Sequence, residues 1–242
     1  MSEDVQTGIG SSDQTAEVLA SRPDAVIFDL DGTLVDNMSW HTRAFDAFLA
    51  RRGREPLSME WRRRIDGKRN REIFPMLFDR PMTLSEIREC EEEKEGLYRT
   101  LSRGGLVALP GAVALIERLR TNGVGVAVAT SAPAANVTHT LAEIGLTGRF
   151  DAIARGDEVT NGKPAPDVFL LAARLLGVAP AACVAFEDAP IGVAAAKAAG
   201  MHCIAVTTTF TAEAFARAEP PPDWTCPDFV AYLAATALHA RL

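Results

Sequence analysis

The chain has 242 residues, 48% of them hydrophobic and 24% charged, with a formal net charge of -7 at pH 7. That length and balance fit one large α/β domain, or one domain carrying a smaller insertion, and exclude a chain disordered in bulk. The negative charge argues against a mainly electrostatic nucleic-acid binder, and the apolar runs fall short of the roughly 20 residues that span a bilayer, so neither nucleic acid nor membrane is expected as a partner. Cys90, Cys183, Cys203 and Cys226 lie far apart with no Cys-x-x-Cys spacing, which indicates neither a zinc site nor a disulfide framework. With an acidic, polar N-terminus where a signal peptide would be basic and then apolar, a cytoplasmic protein is expected.

In chain order, residues 1–22 are rich in Ser, Gln, Thr, Gly and Asp and read as a flexible tail. Residues 24–30 form the first strand, apolar on both faces as a buried parallel strand requires. That run ends in Asp29 and Asp31, followed at once by Gly32 and Thr33. Carboxylates disfavour a strand interior and belong where the backbone leaves the sheet, which in open α/β sheets is where ligands bind. Two carboxylates this close repel unless a cation lies between them or one keeps its proton, so the pair suggests a magnesium site, an acid/base couple, or both. A plain capped turn does not call for two acids, a Gly and a Thr at this spacing.

Residues 38–103 are charged and helical without a strand-like run, and Trp40, Ala44, Phe45, Phe48 and Leu49 recur at helical spacing, as do Ile87, Leu97 and Leu101 more loosely. Within this stretch Arg62, Arg63, Arg64, Lys68, Arg69 and Arg71 crowd around Asp66-Gly67, with Glu91, Glu92 and Glu93 as expected ion-pair partners. Strand signals return at 124–129, 152–154, 182–186 and 202–206, separated by helices expected at 113–120, 137–144, 167–176 and 192–199. Strands alternating with helices imply right-handed βαβ crossovers. The expected fold is therefore α/β, a Rossmann-like doubly wound parallel sheet core over 23–36 and 104–242, with an α-helical domain inserted over 37–103.

Polar residues cluster where strands end. The second strand runs into Thr130 and Ser131, a hydroxyl pair suited to donating hydrogen bonds to an anion. Lys163 follows in Asn161-Gly162-Lys163-Pro164-Ala165-Pro166-Asp167, beside a helix start that suits a phosphate or carboxylate partner, although a solvated loop lysine reads the same way in isolation. The fourth strand then ends in Glu187-Asp188, where an N-capping Asp would explain one acid and not both. Together the junctions make one site: carboxylates holding magnesium, Lys163 and Thr130 gripping a phosphoryl group, and one aspartate left to attack it.

Phe28-Asp29-Leu30-Asp31-Gly32-Thr33-Leu34-Val35-Asp36, Ala129-Thr130-Ser131, Gly162-Lys163-Pro164-Ala165-Pro166-Asp167 and Phe186-Glu187-Asp188 occur in the order of the haloacid dehalogenase superfamily. Over residues 25 to about 230 the chain resembles that superfamily's β-phosphoglucomutase-like branch, which carries a helical cap after the first strand. The resemblance implies that Asp29 is the nucleophile and becomes an aspartyl phosphate, while Asp31 is the general acid/base. It also implies a magnesium ion held by Asp29, Asp31 through its backbone carbonyl, Asp188 and Glu187, and a phosphoryl group bound by Thr130, Ser131 and Lys163. The dehalogenases resemble this pattern without the second aspartate, so Asp31 favours phosphate-ester chemistry. The family's phosphonate hydrolases use an imine-forming cap lysine, and neither Lys68 nor Lys94 matches that role.

The same resemblance places His41 near the active site on the first cap helix and a substrate-specificity loop around Asp66-Gly67, making His41, Arg69 and Asn70 candidate substrate residues. A solvent-facing His41 is the plainer alternative. The sugar phosphomutases carry an arginine three residues after the cap glycine, where this chain has Asn70, and a lysine after the second motif, where it has Ala132-Pro133-Ala134-Ala135. Arg69 or Arg71 could stand in. The function expected is a magnesium-dependent phosphatase that hydrolyses a small phosphorylated metabolite, a sugar or polyol phosphate, through an aspartyl phosphate. A sugar phosphomutase is the alternative, and a non-catalytic phosphate-ligand binder a further one, against which the complete set Asp29, Asp31, Thr130, Lys163 and Asp188 counts. Oligomeric state is not legible.

Overall fold

The computed structural model describes residues 22–239, so the tail expected over 1–22 lies, apart from Arg22, outside the described residues. Six strands form where the apolar runs fall: β1 (Ala25–Phe28), β2 (Gly125–Thr130), β3 (Ala152–Arg155), β4 (Cys183–Glu187), β5 (His202–Val206) and β6 (Trp224–Cys226). They make one sheet in the order β3-β2-β1-β4-β5-β6, with every pairing parallel. Parallel neighbours need crossover connections, which helices supply here. Between β1 and β2 lie α1 (Met38–Ala50), α2 (Met59–Ile65), α3 (Asn70–Phe78), α4 (Leu84–Leu101) and α5 (Ala112–Thr121). The later crossovers and the end of the chain hold α6 (Ala134–Glu143), α7 (Asp167–Leu176), α8 (Pro190–Ala198), α9 (Ala212–Ala216) and α10 (Phe229–His239).

The strand order reverses at β1: the chain steps outward to β2 and β3, then returns to the other side of β1 for β4. Such a switch point opens a crevice at the carboxyl ends of the flanking strands. Register aims the acids into it, because Phe28 pairs with Phe186 and the next residues, Asp29 and Glu187, leave adjacent strands at one level.

Alternate strand residues enter opposite layers. Val26, Phe28, Val126, Val128, Val184 and Phe186 share one core with side chains of α5, α6 and α10. Ala25, Ile27, Ala127, Ala129, Cys183 and Ala185 face the other way, against Val168, Phe169, Ala172 and Ala173 of α7 and Val193, Ala195 and Ala196 of α8. Near-continuous apolar strands are thus explained by burial on both faces.

The helices between residues 38 and 101 have a core of their own, from Phe45, Phe48, Leu49, Ile65, Ile73, Phe74, Leu77, Ile87 and Cys90. Thr83 and Glu86 close a reciprocal capping box at the start of α4, which fixes where that helix begins. Ala44 and Tyr98 belong instead to the larger core beneath, so the insert is packed onto the sheet domain. The expected strands and helices are present with shifted ends. β1 stops at Phe28, before residue 30, and α6 starts at Ala134, before residue 137. β6, α9 and α10 were not anticipated: β6 and α9 are too short to show a period, and Phe229–His239 is apolar nearly all round. Among the described residues no helix is long and apolar enough to cross a membrane.

Phe229 is fully buried with its ring 5.8 Å from that of Phe28 and 5.1 Å from that of Phe186. Phe229→Ala is expected to destabilise the fold by about 3–5 kcal/mol through lost burial and the cavity left behind. Urea denaturation measures this, and a loss below about 1 kcal/mol would show that α10 is not part of the cooperative core.

Candidate active site

Asp29, Glu187 and Asp188 converge where β1 and β4 end, with one carboxylate oxygen of each within 4.8 Å of the others. All three are buried, as is Lys163, whose Nζ donates to Asp29 Oδ1 at 2.6 Å, to Glu187 Oε1 at 2.6 Å and to the Ala129 carbonyl at 3.3 Å. The solvated-loop alternative for Lys163 is thereby overturned: it sits under the carboxylates and neutralises part of their charge. Two glycines make room for the acids. A Cβ on Gly32, whose φ is 85°, would lie 1.9 Å from Asp188 Oδ2, and one on Gly192 would lie 1.8 Å from Glu187 Oε1.

Burial pushes Asp29 up to about 8; Lys163 opposes that rise while Glu187 and Asp31 add to it. Asp188 is likewise raised well above the usual carboxylate range, by burial first and then by repulsion from Glu187 and Asp29. One ammonium therefore does not compensate three carboxylates. A further cation would, and an all-oxygen donor set suits a hard divalent ion such as magnesium. Glu187 is the least available ligand, because its carboxylate already accepts from Lys163, from Asp188 N–H at 2.9 Å and from Ala189 N–H at 3.0 Å.

Asp31 lines the same cavity, but its side chain is held away from this cluster. Asn37 Nδ2 donates to Asp31 Oδ1 at 2.6 Å and to the Tyr98 hydroxyl at 2.6 Å, and Gly32 N–H donates to Asn37 Oδ1 at 3.2 Å. Burial alone would raise the Asp31 pKa; the neighbouring His41 ring and the Asn37 hydrogen bond outweigh it and hold the group below its ordinary 3.8. His41 is not solvent-facing: its ring stacks on Tyr98 at 3.9 Å between centroids, and its side chain is 14% exposed. Lys94 Nζ lies 2.9 Å from His41 Nδ1. An ammonium only donates, so Nδ1 accepts and a neutral ring carries its proton on Nε2. That nitrogen has no hydrogen-bond partner and lies 3.7 Å from Asp31 Oδ1. Asn37 and Tyr98 had no marking in sequence, and Lys94 was weighed there only as an imine-forming lysine; only the fold brings the three to Asp31 and His41.

Thr130 and Ser131 both line the cavity. The Thr130 hydroxyl accepts from Ala132 N–H at 3.0 Å, whereas Ser131 Oγ donates to the Gly67 carbonyl at 2.8 Å and so ties the insert to β2. Asn70 lines the cavity. Arg69 does not, which corrects its assignment to substrate: buried, it donates to Glu72 and to the carbonyls of Gly156, Val159 and Thr160. The expected pairing of the arginine cluster with residues 91–93 is also corrected. Glu93 takes Arg51 and Arg52, Glu91 takes Asn70, and Arg62 binds Asp46 with both oxygens at 3.1 Å. Helix geometry decides this, since α1 and α4 lie side by side and bring Arg51 and Arg52 to Glu93.

The four cysteines are unpaired and buried.

A family model for haloacid dehalogenase-like hydrolases matches residues 23–200. The protein CbbY of Rhodobacter capsulatus is 34% identical over 220 residues, covering 86% of this chain and 94% of that protein. Hexitol phosphatase A of Escherichia coli is 37% identical over 193 residues, covering 74% of this chain and 81% of that enzyme. A crystal structure of a CbbY mutant from Rhodobacter sphaeroides in complex with xylulose-(1,5)bisphosphate aligns with a TM-score of 0.77 at 28% identity, over 86% of this chain and 95% of that one. With its four strand-end motifs gathered at one switch point and three quarters of its length matched, the chain belongs to the haloacid dehalogenase-like hydrolases.

Proposed function

We propose that this hydrolase is a magnesium-dependent phosphatase of a small phosphorylated carbohydrate, a sugar or polyol phosphate, acting through an aspartyl phosphate on Asp29. The observation that carries the reading is the separation of the two aspartates: Asp29 lies on Lys163 at 2.6 Å beside Asp188, while Asp31 is turned onto Asn37 at 2.6 Å. Two carboxylates in different surroundings take different roles. The named relatives support the substrate class, since they include hexitol phosphatase A and a phosphorylated carbohydrates phosphatase of Thermotoga maritima, 33% identical over 185 residues.

In the first step an Asp29 carboxylate oxygen attacks phosphorus, the bond to the sugar oxygen breaks, and Asp31 gives that oxygen its proton. In the second, Asp31 takes a proton from water, which attacks the aspartyl phosphate and releases inorganic phosphate with Asp29 restored. A dianionic ester beside Asp31 opposes its ionisation and so favours the protonated acid the first step needs. Thr130 and Lys163 hold the phosphoryl end, Lys163 also keeping Asp29 in line. Asp29 and Asp188, with Glu187 bracing Lys163, would hold magnesium, which would supply charge neutralisation at the phosphoryl oxygens. We assign residues 37–103 as a cap over a core of 23–36 and 104–242, because its helices have a separate apolar core and supply one wall of the cavity. Buried free thiols suit a reducing, cytoplasmic setting.

The mutase alternative needs a grip on a second phosphate. Asn70 stands where such enzymes carry arginine, and Arg69 and Arg71, the possible stand-ins, bond to backbone carbonyls of the 156–160 segment. Hydrolysis is thus favoured over intramolecular transfer.

Asp29→Asn is expected to lower magnesium-dependent phosphate release from a hexitol phosphate by at least about a thousandfold while leaving the thermal midpoint at or above that of the wild type. Residual turnover within tenfold of the wild type would remove Asp29 from the nucleophile's role. Magnesium is expected to raise the wild-type midpoint by several degrees, as a ligand that binds the folded state does, and Asp188→Asn to abolish that rise. Differential scanning fluorimetry in magnesium and in chelator checks this without reference to activity, and an undiminished rise in the variant would exclude Asp188 as a ligand.

A further inference from the structure

Open parallel sheets place ligands at the carboxyl ends of several neighbouring strands, and the acids and hydroxyls described above leave β1, β2 and β4. β5 lies beside β4 with Glu187 paired to Ala205, so it ends close to the level of Asp188. The residues that follow it are Thr207, Thr208 and Thr209, three hydroxyls in a row. The first two tie the segment down. Thr207 N–H donates to the Cys226 carbonyl at 2.9 Å, and the Thr208 hydroxyl donates to the carbonyl of Gly32, in the turn after Asp31.

Thr209 Oγ1 is buried and has no hydrogen-bond partner. Among the described residues one other buried side-chain polar atom shares that condition, His41 Nε2 beside Asp31. Buried polar groups are nearly always paired, so an orphan calls for an explanation, and both orphans of this chain adjoin acids of the same site. A Cβ on Gly32 would lie 1.9 Å from Asp188 Oδ2 and 2.9 Å from Thr209 Oγ1, so the two oxygens converge on one point over Gly32. The other oxygen, Asp188 Oδ1, accepts from the Thr33 hydroxyl at 3.4 Å. Asp188 thus has a threonine near each carboxylate oxygen, one bonded to it and one free.

A hydroxyl has one proton to give, and a carboxylate is the acceptor that suits it. Carboxylates that ligate a metal are themselves held by hydrogen bonds, which fix the direction in which their remaining lone pairs point. Two other roles for Thr209 fit less well. Thr208 already fastens the segment to the turn after Asp31, so the Thr209 hydroxyl is not needed for that. Nor does Thr209 line the cavity beside Asp29 and Asp31, so it is not a substrate contact.

We propose that Thr209 is a positioning residue of the metal site, its hydroxyl donating to Asp188 and fixing that carboxylate for the ion. This rests on the magnesium reading above and adds to it a residue from the end of β5. It also accounts for an orphaned hydroxyl in an otherwise well-paired interior.

The test uses Thr209→Val, which removes the hydroxyl and keeps the shape, and Thr209→Ser, which keeps the hydroxyl. Calorimetric titration with magnesium chloride is expected to show affinity about tenfold or more weaker in the valine variant and within about threefold of the wild type in the serine variant. In chelator the thermal midpoint of Thr209→Val is expected at or above that of the wild type, because an unpaired buried hydroxyl is disfavoured, whereas a group that merely held the loop would lower it. Undiminished magnesium affinity in Thr209→Val overturns the proposal, as does an equal loss in Thr209→Ser or a lowered midpoint of Thr209→Val in chelator. Magnesium uptake by the wild type without loss in the valine variant defeats this proposal alone. A wild-type chain that takes up no magnesium defeats the metal reading and this proposal with it.

Discussion

Everything in the site depends on Lys163 being buried under the ends of β1 and β4. Its ammonium touches Asp29 and Glu187 at 2.6 Å each, in a place where an unpaired carboxylate would be strongly disfavoured. Because Glu187 also accepts the N–H groups of Asp188 and Ala189 at the start of α8, the lysine is bound to the sheet and to a helix terminus at once. The three carboxylates still outnumber the cation, and the raised proton affinities of Asp29 and Asp188 express that imbalance. A divalent ion would resolve it, and the same deficit is what suits the cluster to a metal.

The second half of the site is built by the helical insert. Asp31 reaches away from the cluster because Asn37 holds it, and Asn37 is in turn placed by Tyr98 of α4, a residue sixty-one positions later. Tyr98 also carries the His41 ring on its face and bonds the Thr140 hydroxyl of α6 at 3.2 Å. One phenol thus joins the insert, the acid/base candidate and the sheet domain. Nearby, Glu95 accepts from Lys94 and Asn70 within the insert and from Asn136 of α6 at 2.6 Å. Insert and sheet domain meet through polar groups that are mutually satisfied.

The core motifs were legible because their chemistry is local. Aspartates after a Val/Ile run, a lysine before a proline-started helix and paired acids after a strand each conflict with the propensity around them, and such conflicts mark functional positions. The insert was harder. Arg69 reads as a substrate-facing cation and is in truth a buried anchor on the carbonyls of 156–160, because the close approach of Gly156 and Gly162 makes space for its side chain. Ser131 reads as an anion donor and bonds the Gly67 carbonyl. A side chain with several donors finds whichever acceptor the fold brings near, and spacing alone does not name it.

By itself the amino-acid sequence determined the alternation of strand and helix, the helical insert after β1, and the identities of Asp29, Asp31, Thr130, Lys163, Glu187 and Asp188, since these follow from periodicity and from residue types that resist their local setting. The tertiary structure alone decided which groups are free. Parallel register set Asp29 beside Glu187, the packing of α4 against α1 delivered Tyr98 and Lys94, and Arg62 and Arg69 were taken up by Asp46 and by backbone carbonyls while Asp66, Lys68 and Asn70 line the cavity. The reason is physical: a charged side chain's partner is chosen by distance in space, which a chain of 242 residues sets only when it closes its core.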